Sequence, residues 1–342
     1  MSATPPNTAI RRIYAHSALQ SIVEGAGGLF VVGFFVRQGL SYPLALASFA
    51  AVLLSRYAMR GAILPLALRI GLRNVLLLGI AVRALSFAML PWVTGLNAIL
   101  IGYILLSGLG SVLYWTGYHA FMSAIGSEGA LGRQVSVQQA ITAVVGIVAP
   151  AIGGLLLVSA GPLLAFMVVA ALQASAALPL LGAPNPAVAP EHTADAALLG
   201  FARKLYLAEG VQAGSSAVIW NLALFAALGE HYDSFGGALA LAYAVPWAAV
   251  VATALGALVA PMAATAMLSP LYTMAQRSNC VLRFNMNTEG GWDLGCASVC
   301  LTTAALLAGG FTFRLPILLG LAGVATIAMM LARWYAREQA GT

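Results

Sequence analysis

The chain carries the same passage twice, and that repetition limits its fold more than any single motif. RRIYAHSALQ at 11–20 returns about 190 residues later as RKLYLAEGVQ at 203–212. Arg11, Tyr14 and Gln20 thereby align with Arg203, Tyr206 and Gln212 without a gap. A second echo keeps the same order, GYHAFMSAIGSEGALGR at 117–133 answering SPLYTMAQRSNCVLRFNMNTEGGWDLG at 269–295. Each has a polar-tipped helix end, a loop, an acid (Glu128, Glu289) and a Leu-Gly pair (Leu131-Gly132, Leu294-Gly295). Two homologous halves in so apolar a chain are the mark of a transporter built from structural repeats around a central site.

Composition removes most other classes. Hydrophobic residues make up 61% of the chain, charged residues 8%, and the mean hydropathy is +0.93. A soluble domain would carry about a quarter charged residues. Several apolar runs exceed the roughly 18 residues that cross a bilayer as a helix. The first is as long as a full span and has no small-residue cleavage site, so a retained helix is expected there and not a signal peptide. The formal charge of +6 comes from basic residues scattered in pairs between spans. That pattern writes topology and gives no ground for nucleic-acid binding.

Hydropathy predicts helices at about 14–36, 42–66, 74–93, 97–122, 134–158 and 161–182, then a Pro- and Ala-rich linker in GAPNPAVAPEHTADAALLG at 182–200. The second half opens with a helix at about 203–228 and closes with two at about 292–311 and 315–336. The division expected is an N-terminal six-helix bundle at 1–182, a linker at 183–202 and a C-terminal bundle at 203–342. If spans alternate, Arg11, Arg12, Arg69, Arg73, Arg133, Arg203, Lys204, Arg277, Arg283, Arg333 and Arg337 share one side. The other side receives Arg37, Arg314 and the acidic GEHYDS at 229–234. The positive-inside rule then makes both termini cytoplasmic. The second half is shortened between 234 and 277, about 45 residues where the first half uses about 80. Hydropathy draws two short helices there, about 235–258 and 261–277, broken at Pro261. Two full crossings would put Arg277, Arg283 and the last basic cluster outside, so one net crossing is expected, giving about ten from eleven helical segments.

This architecture resembles the major facilitator superfamily (MFS): six helices, a linker and a homologous half. The family's loop between its second and third helices reads G-x-L-A-D-R-x-G-R-R, and LPLALRIGLR at 64–73 stands in its place. Leu66, Ala67, Arg69, Gly71 and Arg73 agree; Leu64 replaces the Gly and Leu68 the Asp. The resemblance assigns Arg69, Gly71 and Arg73 to gating, although the Asp of the family's charge relay is lost. Pro150-x-x-Gly153-Gly154 resembles the end of the exporter-associated motif G-x-x-x-G-P-x-x-G-G, with Val145 and Ala149 in place of its first two glycines. Small residues there also serve close helix packing. The family implies an all-α membrane protein, two bundles around a central cavity lined by the first, fourth, seventh and tenth helices.

Ionisable groups at mid-membrane cost about 2.5–3.5 kcal/mol each and call for partners. Glu24 is the sharpest: it would bind a cationic substrate or carry a proton, or else lock the first helix through an ion pair with Arg56 or Arg83. Arg56 and Arg60 share a helix face and could hold an anion; alternatively Arg60 snorkels to the headgroups and Arg56 pairs with Glu24. Tyr114, Tyr118 and His119 form an aromatic stretch suited to a wet cavity, with Tyr272 as the counterpart in the second half. An unperturbed histidine titrates near physiological pH, which makes His119 the second proton-coupling candidate. Gln20 and Gln212 match in the repeat, and Trp220 and Asn221 continue the seventh helix outward. All ten (Glu24, Gln20, Arg56, Tyr114, Tyr118, His119, Gln212, Trp220, Asn221 and Tyr272) are candidate substrate contacts.

Other chemistry has no motif. Three cysteines make no disulfide framework, no Cys/His spacing reads as a metal site, and there is no Walker loop. The chain is expected to be no enzyme and to need no cofactor or metal. Its expected partners are a small-molecule substrate and membrane lipid. A monomeric secondary transporter of a small organic molecule in a bacterial inner membrane is the reading, proton-coupled, with export favoured over uptake. The rival is a non-transporting MFS-like scaffold or sensor.

Overall fold

A computed structural model describes residues 6–127, 130–189, 195–242 and 264–340. Nine helices among them are long and apolar enough to span a membrane. They are α1 (Thr8–Arg37), α2 (Tyr42–Ile70), α3 (Leu72–Trp92), α4 (Ala98–Ile125), α5 (Leu131–Ser159), α6 (Gly161–Leu181), α7 (Ala196–Ala227), α10 (Val281–Ala308) and α11 (Arg314–Arg337). Between α7 and α10 lie two shorter helices, α8 (Tyr232–Ala242) and α9 at 264–277. Glu128, Pro261 and the centre of the shortened region fall outside the described residues.

Local chemistry places the helix ends. The Asn97 side chain accepts from the Leu100 amide at 2.9 Å and caps α4, and Asp195 caps α7 by accepting from Ala197 N at 2.8 Å. Gly71, at φ +82°, turns the chain between α2 and α3, a conformation that a side chain would strain. The linker is therefore shorter than expected, since helix resumes at Ala196 and not at 203.

α10 is the larger correction. It begins at Val281 and not at about 292, so Glu289 lies inside the span with Asp293 and not in a loop before it. Arg283, Glu289 and Asp293 depress the hydropathy of this stretch, which hid the first turns of the helix. Arg56 and Arg60 in the other bundle make Glu289 and Asp293 tolerable at that depth.

The two bundles repeat their packing as well as their sequence. α1 packs on α5 and α6, and α7 packs on α10 and α11. Glycine allows the approach in both: a Cβ on Gly153 would strike the Ala26 carbonyl, and one on Gly210 or Gly295 would strike the backbone of the facing helix. Between bundles, α2 packs on α10 and α5 on α8. A Cβ on Gly154 would strike the Tyr232 carbonyl, and one on Gly236 the Pro150 carbonyl. The Pro150-Gly153-Gly154 group thus builds helix contacts on two sides of α5. Lipid-type side chains such as Val144, Leu155, Leu318 and Leu321 stay exposed around the rim, as a hydrocarbon solvent permits.

Candidate functional site

Two charge clusters and a cavity occupy the centre. The first cluster joins the bundles. Arg56 and Arg60 on α2 are each only 5% exposed. Arg56 reaches Glu289 at 2.8 Å and Asp293 at 3.1 Å; Arg60 reaches Glu289 at 2.7 Å and also pairs with Asp293. Thr116 on α4 donates to Glu289 at 2.6 Å and accepts from Arg60 at 2.9 Å. Spacing explains the fit: 56 and 60 lie one turn apart on α2, and 289 and 293 one turn apart on α10. Arg60 therefore does not snorkel to headgroups, and Arg56 does not pair with Glu24. Two acids that hold both forks are a better match than either alternative.

The second cluster lies within the N-terminal bundle. Glu24 Oε1 pairs with Arg83 at 2.5 Å and accepts from Gln20 at 2.8 Å. Gln173 on α6 donates to Gln20 at 3.0 Å, and Arg83 donates to Ser111 at 3.1 Å. The Arg83 guanidinium also lies over the Tyr114 ring, 5.3 Å from its centroid. Glu24 nevertheless keeps 39% of its side chain exposed, and that part faces the cavity.

The cavity has a volume of about 1110 Å³ and is bounded by both bundles. Glu24, Arg56, His119, Gln212 and Glu289 are on its wall, as are Arg83 and Glu209. Phe49, Phe87, Trp115 and Trp292 supply aromatic surface. His119 Nδ1 is 2.8 Å from Tyr272 Oη and its Nε2 is 3.8 Å from Glu289, so this ring links α4 to α9 and α10. Gln212 bonds Ser216 at 2.9 Å. Gln20 and Tyr272 stand one layer behind the wall, through Glu24 and His119.

Four expected contacts lie elsewhere. Tyr114 is turned onto α1 by a 2.8 Å bond to His16, and Tyr118 by a 3.2 Å bond to Ser17. Trp220 is 51% exposed, away from the cavity wall. Asn221 lines a separate pocket of about 60 Å³ with Phe225 and Phe235. The cause for the last two is a π-helical turn at Gly214–Ile219, whose wider winding rotates the rest of α7. Of the residues assigned to gating, Arg69 is exposed. Arg73 donates to the carbonyls of Leu181 at 3.3 Å and Ala183 at 2.9 Å, and its amide donates to Asn185. A Cβ on Gly71 would collide with Asn185. This loop is thus pinned to the start of the linker, on its own bundle.

Sequence reasoning missed Glu289, Asp293 and Glu209. Glu289 was read as an acid after a loop, and Asp293, inside the helix expected at about 292–311, was passed over. Glu209 stands in the repeat opposite Ser17, inside the very stretch used to find the repeat. An acid in an apolar helix was signal enough.

Neither a family model nor a curated protein sequence matches the chain. Among solved structures it is similar to the POT family transporter PepTSo, crystallised in meso, at 14% identity and a TM-score of 0.54. The match covers 98% of this chain and 99% of that one. Such a likeness establishes the fold: an all-α, multi-pass membrane protein with an MFS-like arrangement of two helical bundles.

Proposed function

We propose that this chain is a secondary transporter that moves a small organic molecule by alternating access. The observation that carries the reading is the cavity between the bundles, together with the Arg56/Arg60–Glu289/Asp293 contact that ties one bundle to the other beside it. A rocking transporter needs a site at the bundle interface and contacts there that break and re-form. Ion pairs suit this role, because each partner finds water or another charge when the interface opens. The MFS-like fold supports the same reading.

Proton coupling is part of the proposal, and His119 is the residue we assign to it. It lies on the cavity wall between Tyr272 and Glu289, so a proton gained or lost there is felt by the contact that joins the bundles. Glu24 is paired with Arg83, which leaves it a role in holding the wall. The membrane is proposed to be a bacterial inner membrane, with both termini on the basic, cytoplasmic side.

The test is a thermal-shift screen of the purified protein against metabolites and drugs, followed by uptake of each hit into proteoliposomes with an imposed pH gradient. Uptake that needs the gradient and loses that need in His119→Gln supports the proposal. A hit that stabilises the protein and never crosses the membrane supports the sensor instead.

A further inference from the structure

Among the described residues, the cavity wall holds one carboxyl group without an ion-pair partner. Glu24 has Arg83, and Glu289 and Asp293 share Arg56 and Arg60. Glu209 on α7 lies on the same wall and makes no hydrogen bond or ion pair with any described residue. The undescribed residues cannot supply a basic side chain of the usual kind, because none of them is Lys or Arg. Arg56 is within electrostatic reach, yet its guanidinium is already held by two other acids. The wall therefore holds one carboxyl group more than its own arginines pair with.

A second observation comes from one turn earlier on the same helix. Tyr206 also lines the cavity, is 2% exposed, and its hydroxyl has no hydrogen-bond partner among the described residues. A buried hydroxyl left unpaired costs free energy that a ligand can return. Tyr206 and Glu209 are three residues apart and so lie on one face of α7. Trp292 and Trp115 give the wall aromatic faces suited to an apolar body or a cation. Anions find no such welcome, since both arginines of α2 are spent on acids.

We propose that Glu209 and Tyr206 form a recognition site for a primary organic ammonium. Its N–H groups would donate to the Glu209 carboxylate and the Tyr206 oxygen, and its apolar body would rest on the aromatic wall. This names the substrate class of the transporter proposed above and rests on that reading only for the step of movement.

The probes are benzylammonium, tryptamine and, as an isosteric anion, indole-3-propionate. Binding is measured by calorimetry on the full chain in detergent, and movement by counterflow in proteoliposomes. Saturable binding of an amine and not of the carboxylate is expected. Glu209→Gln should weaken it by at least about tenfold, since a charge-assisted bond is lost, and Tyr206→Phe by less. No saturable amine binding at millimolar concentration, equal binding of the anion, or unchanged affinity in Glu209→Gln overturns the site. If Glu209→Gln fails to fold, unchanged affinity in Tyr206→Phe overturns it and weakened affinity supports it. Amine binding that depends on Glu209 without counterflow keeps the site and removes the transport reading.

Discussion

Arg56 and Arg60 were visible in the sequence as a costly pair on one helix face; the acids that answer them lie more than 200 residues later. Nothing local connects the two, because the match is made by matched spacing on two helices from different bundles. The geometry makes a sharp prediction. Glu289→Gln leaves two buried guanidinium groups with one full acid between them, and loss of one partner of a buried pair costs about 3–5 kcal/mol. A clear drop in thermal stability in detergent is the expected result. The pair itself is tested by exchange: Arg60→Asp combined with Asp293→Arg should recover part of the stability that either change alone removes. A double variant no more stable than its parents would show that the Arg60–Asp293 contact does not hold the bundles together. Glu24 and Arg83 were within reach of sequence reasoning because both lie in long apolar runs whose positions hydropathy fixes well. Which arginine Glu24 takes depended on helix rotation, and rotation is set by packing.

Among elements, the long apolar helices were legible nearly to their ends, and α7 and α10 were not. α10 begins earlier than expected because its acids Glu289 and Asp293 are paired with arginines of α2, a fact no single window contains. α7 carries a π-helical turn, so the facing of Trp220 and Asn221 could not follow from regular periodicity. The contact between these two helices is tight. Gly295 meets the backbone of α7 at Leu207, where an added Cβ would collide. Gly295→Ala should therefore cost about 1–3 kcal/mol by forcing the helices apart. The control is on α7 itself: Gly200 has open space around its Cβ position, so Gly200→Ala should be neutral or gain up to about 1 kcal/mol from helix propensity. Melting curves of the two variants, read against the parent, check both signs. Equal effects would mean that the close approach of α7 and α10 is not what limits stability.

At the scale of the molecule, the shortened region decides whether α10 and α11 keep the orientation that the charges demand. Its two described ends lie at opposite ends of α5. α8 packs where Gly236 faces Pro150 and Gly154, in the later half of α5. α9 packs beside the start of α5 and the end of α4: Gln276 donates to the carbonyls of Ser123 and Gly126 at 3.0 Å each, and Gly132 faces Ser269. A chain that enters at one end of α5 and leaves at the other is expected to make one net crossing between α7 and α10. One crossing would keep Arg283, Arg333 and Arg337 on the side of Arg133, as the charge rule expects. The three native cysteines, Cys280, Cys296 and Cys300, are buried, and replacing them gives a clean background for labelling. In that background Arg133→Cys, Arg283→Cys and Arg337→Cys should resist an impermeant maleimide added to intact cells, and His231→Cys should react. Permeabilising the cells should expose the first three. Reaction of the Arg283 and Arg337 positions together with His231, before permeabilisation, would require an even number of crossings between α7 and α10. It would also put the last basic cluster outside, and the single-crossing topology would have to be abandoned.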